Sequence, residues 1–290
     1  MSRSDNLSKK RQPSATARKR VASMFNADVL KDMCDRIDLP SWAGRERFYY
    51  YKDNGSNILA VAHLDTVQED CTCSVMQTSA GLLAASGGLD DRLGVYVILD
   101  LLPRLGMVFD ILLTTDEEIG QSTAGEFETS KQYDWIIQFD RGGTDVVMYD
   151  YETPELCERV EACGARVGTG SFSDICMLDD LGVAGFNWGI GYQDYHSQRS
   201  HAWLDDTFRM VARFEKFHRA NKGTRFDHVK VDRWSWQDDY RDQERDDRKW
   251  GWDSFIQADC GHVVDLEDDS DYVEADQELI CTECAESRNT

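Results

Sequence analysis

The stretch 57-NILAVAHLDTV-67 is an apolar run that stops at His63 and Asp65. A strand of β-branched and aliphatic residues ordinarily ends in a turn. This one ends in two groups able to ligate a metal or move a proton. Three other strand-like runs behave in the same way. The stretch 107-MVFDILLTTDEE-118 ends in Glu117 and Glu118, 134-DWIIQFD-140 ends in Asp140, and 183-VAGFNWGIGY-192 is followed by His196. The start of the apolar helix 91-DRLGVYVILDLLPRL-105 adds Asp90 and Asp91. Ligands of open α/β sheets bind in the crevice at the carboxyl ends of the strands, so these residues are expected to meet on one rim.

The intervening segments fit that plan. Residues 21–38 carry apolar residues at helical spacing (Val21, Met24, Phe25, Val29, Leu30, Met33). Residues 47–65 read as a hairpin turning at Asp53-Asn54-Gly55, and 74–86 as a second short hairpin or a loop. A small polar helix is expected at 121–132, a strand over 145–151, and a helix from Pro154 to Gly164. A Ser-capped helix is expected at 170–182. A long amphipathic helix over 203–221 has its natural stop at Gly223. Strands alternating with helices imply an α/β fold, an open and mostly parallel sheet sandwiched by helices.

The 290 residues, 41% of them hydrophobic, suit one large domain with an appendage. A net charge of −22 argues against a nucleic-acid-binding body. Residues 1–20 oppose that trend, with seven Lys and Arg (Arg3, Lys9, Lys10, Arg11, Arg18, Lys19, Arg20) against Asp5 alone. They read as a disordered basic tail, with a nuclear address or a weak polyanion contact as the alternative. No apolar segment of the tail fits a secretory signal, and no run approaches the roughly 18 residues of a membrane helix. Nine cysteines without an export signal point to a reducing, cytoplasmic setting. The organisation expected is a tail over 1–20, a catalytic domain over 21–223, a charged Trp-rich linker over 224–259 and a Cys/His segment over 260–290.

Two imidazoles among several carboxylates, with no thiolate, suit zinc first and cobalt or manganese next. Adjacent carboxylates repel and raise one another's pKa, so such a rim calls for bound cations. Five ligands exceed what one open catalytic zinc takes, and they suit a two-metal site with one bridging carboxylate.

These motifs, in this order, resemble the co-catalytic zinc exopeptidases, which include aminopeptidases, peptidase T-like tripeptidases, carboxypeptidases and N-acyl-amino-acid deacylases. The resemblance spans roughly residues 55–220 and rests on AHLDTV, GLDDRLG, TTDEEIG, FDRG and GYQDYHS. It implies that His63 and Asp140 hold one zinc, Glu118 and His196 the other, and that Asp90 bridges both. It further implies that Asp65 orients His63, that Glu117 is the general base on a bridging water, and that the Asp90–Asp91 peptide is cis.

The chain departs from the family in two respects. The gaps of 27 residues from His63 to Asp90 and 56 from Asp140 to His196 leave no room for the inserted lid or dimerisation domain. His201 stands where relatives often carry an acid. The absent lid makes an aminopeptidase acting on small peptides the first expectation. An N-acyl-amino-acid deacylase or carboxypeptidase with the same centre is the alternative. The alternative of another class is a non-catalytic adaptor working through the C-terminal module.

That module has Cys260-x-His262 and Cys281-x-x-Cys284, separated by 18 residues. The spacing suits a small structural zinc ribbon, against the bland reading of an acidic tail with incidental cysteines. Two further assignments stay open. Ser171, Ser173 and Asp174 line the pocket or cap a helix, and Arg141 meets substrate or pairs with an acid.

Overall fold

The computed structural model describes residues 15–37, 47–67, 73–77, 83–197 and 199–229, and the strand segments 255–257, 263–265, 272–275 and 278–281. The chain divides into two compact units, Met1–Lys230 and Val231–Thr290. At the centre of the first, strand β2 (Ile58–His63) is buried at all six positions. A strand with no polar face needs neighbours on both edges and cover on both sides. Its neighbours are β5 (Asp110–Thr114) and β6 (Trp135–Gln138), both parallel to it, with His63 opposite Thr114 and Ile58 opposite Trp135. The six-stranded sheet is completed by β8 (Gly185–Trp188), parallel to β6, and by the antiparallel edge strands β1 (Tyr50–Lys52) and β7 (Val146–Val147), in the order β1-β5-β2-β6-β8-β7.

The hairpin expected over 47–65 does not form. β1 pairs with β5, which lies between β1 and β2. Both edges of β2 are taken by buried parallel strands, while the half-exposed three-residue β1 suits a sheet edge. The Asp53–Gly55 turn instead wraps the start of β5, with the Asn54 side-chain amide donating to the Phe109 carbonyl at 2.8 Å.

Two layers enclose the sheet. Helix α6 (Leu204–Asn221) sets Phe217 against Trp135 (5.6 Å between centroids) and Phe186 (5.0 Å), and Phe214 against Trp188 (5.3 Å). Side chains alternate across a strand, so Gln138, Gly185 and Asn187 point to the opposite face, where a 3-10 turn (Asp174–Met177) packs. Gly185 makes this approach close: a Cβ there would lie 3.0 Å from the Tyr151 ring and 3.1 Å from Ile175, so those side chains would have to shift by a few tenths of an ångström. The Ser-capped helix expected at 170–182 is thus two 3-10 turns, and the Ser173 hydroxyl donates to Gln138 instead of capping.

A second, antiparallel sheet contains β3 (Ser74–Gln77) and β4 (Leu83–Ser86), the expected hairpin, with β9 (Tyr192–Gln193) and β10 (His201–Trp203), ordered β3-β4-β10-β9. After β4 the chain enters helix α3 (Arg92–Tyr96), which continues through a π-helical turn (Val97–Leu101) to α4 (Leu102–Arg104).

At both ends of the unit the ordered chain extends past its expected limits. Residues 15–20 are not a disordered tail but the start of helix α1 (Ala15–Met24), which pairs Arg18 with Asp205 at 3.0 Å and Arg20 with Glu215 on α6. Asn26 then caps helix α2 (Ala27–Arg36), accepting from the amides of Asp28 and Val29. Beyond Gly223, Phe226 is buried, and its backbone bonds to Asp134 and Ala184 carry the unit past residue 223. Of helix α5 (Pro154–Ala162), Thr153 is the cap.

The second unit contains two antiparallel ribbons, β11 (Phe255–Gln257) with β12 (Val263–Asp265) and β13 (Tyr272–Ala275) with β14 (Glu278–Cys281). Cys260, His262 and Cys284 lie outside the described residues, and Cys281 is described only as the last residue of β14. Among the described residues, no helix is long and apolar enough to cross a membrane.

Asp110, fully buried at the start of β5, collects the Asn54 and Ser56 amides (2.9 and 3.0 Å), the Tyr51 and Tyr133 hydroxyls (both 3.0 Å) and Lys131 Nζ (2.5 Å). Burial alone would raise its pKa, but Lys131 and the two amides outweigh it and hold the carboxyl below its usual value. Asp110→Asn should cost about 2–4 kcal/mol at neutral pH, since it leaves Lys131 beside a neutral group. A depressed folded-state pKa stabilises above the unfolded value of about 3.9 and loses that effect as pH falls below it. The gap between wild type and variant in urea unfolding should therefore narrow from pH 7 to pH 3; equal stability at pH 7 would contradict this account.

Candidate metal centre

β2 delivers His63 to the rim with its imidazole already oriented. Nδ1 lies 2.9 Å from the Asp65 main-chain carbonyl, which can only accept, so the proton belongs on Nδ1 and Nε2 is left as a donor of electrons. Nε2 faces Asp90 Oδ1 at 3.2 Å, Asp140 Oδ1 at 3.5 Å and Glu117 Oε2 at 3.9 Å. The second imidazole, His196, places Nε2 at 2.8 Å from Glu118 Oε2 and 3.2 Å from Asp90 Oδ2. Asp90 thus stands between the two imidazoles and turns one oxygen to each.

The backbone that creates this arrangement comes from both sheets. Asp140 follows β6, and the Glu117-Glu118 turn follows β5, opened by Asp116 at φ 64° and closed by the Gly120 amide on the Glu117 carbonyl. Asp90 arrives after β4, and its peptide to Asp91 is cis. His196 sits in the connection from β9 to β10 at φ 61°, not in a loop of the parallel sheet as the sequence reading expected. The parallel strands therefore supply one half of the rim and the antiparallel sheet the other.

Asp65 acts on two neighbours. Its carboxylate accepts from the Glu117 amide at 3.3 Å and the Glu118 amide at 3.2 Å, and stands 3.5 Å from His63 Nδ1. It holds the Glu-Glu turn more directly than it holds the imidazole, whose nearer partner is the Asp65 carbonyl.

Behind Asp140 lies a buried polar network that the sequence reading missed in part. Gln138 Nε2 donates to Asp140 Oδ2 at 3.1 Å and to Asp174 Oδ2 at 2.9 Å, while its Oε1 accepts from Ser173. Thr114 and Ser122 donate to the other Asp174 oxygen. Asn187 grips the Asp140 backbone, accepting its N–H at 3.0 Å and donating to its carbonyl at 2.8 Å. Ser173 and Asp174 are therefore supports of the rim. The available signal was a lone amide in each of two otherwise apolar strands, WIIQ and GFNW. Arg141 pairs with Asp145 at 2.8 and 3.1 Å, the second of the two roles left open for it.

The electrostatics of this set call for added positive charge. Burial and the Asp90 charge push Asp140 up to about 8. Burial likewise drives Glu117 upward, and burial with the Asp140 charge does the same to Asp91. Burial would lower both imidazoles, but Asp140 outweighs it at His63, and Asp90 with Glu118 outweighs it at His196, which rises to about 10. Glu118 Oε1 and Asp91 Oδ2 are buried without a hydrogen-bond partner.

Ligand atoms of His63, Asp90 and Glu118 lie within 4.8 Å of one another, as do those of His63, Asp91 and Asp140. Imidazole and carboxylate without thiolate is a donor set for zinc or a similar divalent ion, so the residues present fit a metal. Asp91 was not among the expected ligands, and its Oδ1 is already engaged by the Tyr192 hydroxyl at 2.8 Å.

No protein-family model matches the chain, and no curated protein matches it. Solved structures resemble it in part. A tripeptidase from Staphylococcus aureus aligns over 67% of this chain and 98% of its own with 10% identity and a TM-score of 0.49. The aminopeptidase PepT from Bacillus cereus aligns over 67% and 99% with 10% identity and a TM-score of 0.47. An aminopeptidase from the archaeon Desulfurococcus kamchatkensis aligns over 72% and 95% with 14% identity and a TM-score of 0.40. At these values the functional reading rests on the rim's own geometry.

Gln138→Met keeps the volume but removes the amide that holds Asp140 and Asp174. The variant should bind divalent metal about 10–100-fold more weakly, the usual effect of losing an outer hydrogen-bond partner of a ligand. Chelator-competition titration measures this, and unchanged affinity in a folded variant would show that Asp140 does not depend on Gln138.

Proposed function

We propose that the rim binds two divalent ions, zinc by first preference, and hydrolyses the terminal amide bond of a small peptide. The observation that carries this reading is the placement of Asp90, with one carboxylate oxygen 3.2 Å from each imidazole. A carboxylate so shared, with a second acid beside each imidazole, suits two cations better than one. His63 and Asp140 would hold the first ion, His196 and Glu118 the second, and Asp90 both. Bound there, the ions would supply Lewis acidity, polarising the scissile carbonyl and acidifying water.

The remaining work falls to Glu117. Its carboxylate borders the His63 imidazole without being needed as a ligand, and its backbone is pinned by Asp65. Burial raises its pKa, which suits a group that takes a proton from the attacking water and returns it to the leaving nitrogen. Asp65 keeps base and ligand apart by fixing both amides of the turn, so that Glu117 faces His63 and Glu118 faces His196. Hydrolysis of an N-acyl amino acid or of a carboxyl-terminal residue would use the same groups in the same roles. Aminoacyl, N-acyl and dipeptide substrates tested side by side on zinc-loaded protein separate these cases, and failure of every class would remove the catalytic reading in favour of an adaptor.

The C-terminal Cys260, His262, Cys281 and Cys284 are proposed, on sequence spacing, to hold a further structural zinc. Elemental analysis should then find three ions in the whole chain and two in a chain ending at Lys230. Fewer than two in the folded, zinc-supplemented shorter chain would overturn the two-metal reading.

The roles of the two glutamates are separable. Glu117→Gln should keep both ions while turnover falls by about 10²–10⁴, the worth of a general base. Glu118→Gln should instead lose one ion and regain part of its activity with excess zinc. The reverse pattern would exchange the two roles, and near-normal turnover by Glu117→Gln would remove the proposed base.

A further inference from the structure

The turn that carries Glu117 and Glu118 is gripped from two directions. Asp65 accepts the two glutamate amides. Arg47, from the segment just ahead of β1, takes hold of the residues on either side of the pair. Its Nη2 donates to the Gln121 carbonyl at 2.7 Å and its Nη1 to the Gln121 side-chain Oε1 at 3.3 Å. Nε stands 3.6 Å from Asp116 Oδ2, and Nε and Nη2 both donate to Glu126 Oε1, at 3.2 and 3.1 Å. One guanidinium thus joins the residue before the glutamates to the chain that follows them. Its planar fork offers several donors in fixed directions, which a lysine ammonium does not.

The segment that presents Arg47 is itself anchored to the base of the turn. The Phe48 carbonyl accepts from the Thr115 and Thr123 hydroxyls, both at 3.0 Å, and the Thr123 amide donates to the Thr115 carbonyl at 2.9 Å. Higher up, the Gln121 amide donates to the Asp116 carbonyl at 3.0 Å. Asp116 has φ 64°, a left-handed conformation that a non-glycine residue keeps only where its surroundings hold it. Its carboxylate, 8% exposed, is the one that faces Arg47.

We propose that Arg47 is a positioning residue for the Glu117-Glu118 turn, holding Glu117 in place as a base while touching neither substrate nor ion. This inference rests on the roles given above to Glu117 and Glu118. The two carboxylates diverge from adjacent residues, Glu117 toward His63 and Glu118 toward His196. A tilt of the peptide between them would move both at once. The Asp65 bonds fix the two amides, but a turn fixed along one line can still pivot about it. Arg47 restrains the turn away from that line, at Asp116 and Gln121. Misplacing a reacting group by about 1 Å can cost roughly 10²-fold in rate, so a restraint on the turn becomes a restraint on turnover.

Arg47 is 40% exposed and Glu126 51% exposed. Pairs this open to solvent contribute little to global stability. Loss of Arg47 should therefore be felt in the turn and hardly in the fold, which separates positioning from a merely structural role.

The test compares wild type, Arg47→Ala and Arg47→Lys as full-length, zinc-loaded proteins. In Arg47→Ala, kcat should fall by about 10–100-fold with KM within about twofold of wild type, and Tm should change by no more than about 3 °C. Arg47→Lys should fall between the two, since an ammonium can reach Gln121 or Asp116 but does not span both. Hydrogen exchange supplies a readout that needs no substrate: the peptide over 115–121 should exchange about 10-fold faster in Arg47→Ala, with that of β2 unchanged. Equal kcat in an active wild type and Arg47→Ala overturns the proposal and leaves Glu117 as the base. A raised KM with unchanged kcat, or a loss of activity matched by a large drop in Tm, overturns it as well. A wild type inactive on every substrate class instead removes the catalytic reading, and equal exchange over 115–121 shows separately that Arg47 does not hold the turn. Should Arg47→Ala not fold, Arg47→Lys carries the same comparison.

Discussion

The Asp90 carboxylate, set between the His63 and His196 imidazoles, is the contact on which the rest of the site depends. One imidazole comes from the end of a buried parallel strand and the other from a connection in the antiparallel sheet. Neither sheet alone contains the centre. Local anchors stand beside both halves: Arg92 bridges the Ile37 and Gly88 carbonyls just before Asp90, and Asn187 grips the Asp140 backbone.

A cluster this rich in carboxyl groups works against folding unless positive charge is supplied. With protons as the only cations, Asp140, Glu117 and Asp91 are pushed toward their neutral forms and both imidazoles toward their charged ones. Divalent ions would meet the same demand with more charge per site and without neutralising the ligands. The surrounding amides are arranged accordingly: Gln138 occupies the outer oxygen of Asp140 and leaves the inner one facing His63.

Much of this was legible in the chain because polar residues at the ends of apolar strands are informative. His63, Glu117, Glu118 and Asp140 announced themselves in that way, and the structure brings them together with Asp90 and His196. The supporting layer was harder to read. Gln138 and Asn187 interrupt apolar strands, but a lone amide in a strand does not name its partner, and Asp174 lies 36 residues from Gln138 in sequence. The hairpin expected at Asp53-Asn54-Gly55 failed for a related reason. Turn chemistry predicts where the chain reverses, whereas the strand it pairs with depends on which partners can bury β2 on both edges. At residues 15–20 the basic charge misled in the opposite direction: it suggested disorder, but Arg18 and Arg20 find acids on α6, nearly 200 residues away.

By itself, the sequence determined the α/β pattern, the apolar character of the central strands, and the identity of the groups that end them, since periodicity and residue chemistry are local properties. Tertiary structure alone decided the rest. It set the strand order β1-β5-β2-β6-β8-β7, the origin of Asp90 and His196 in a second sheet, and the choice of Asp65 as the clamp on the Glu117-Glu118 turn. Each of these is a pairing between distant segments, selected by which arrangement buries the apolar faces and satisfies the buried polar groups at the same time, and no local pattern encodes that joint requirement.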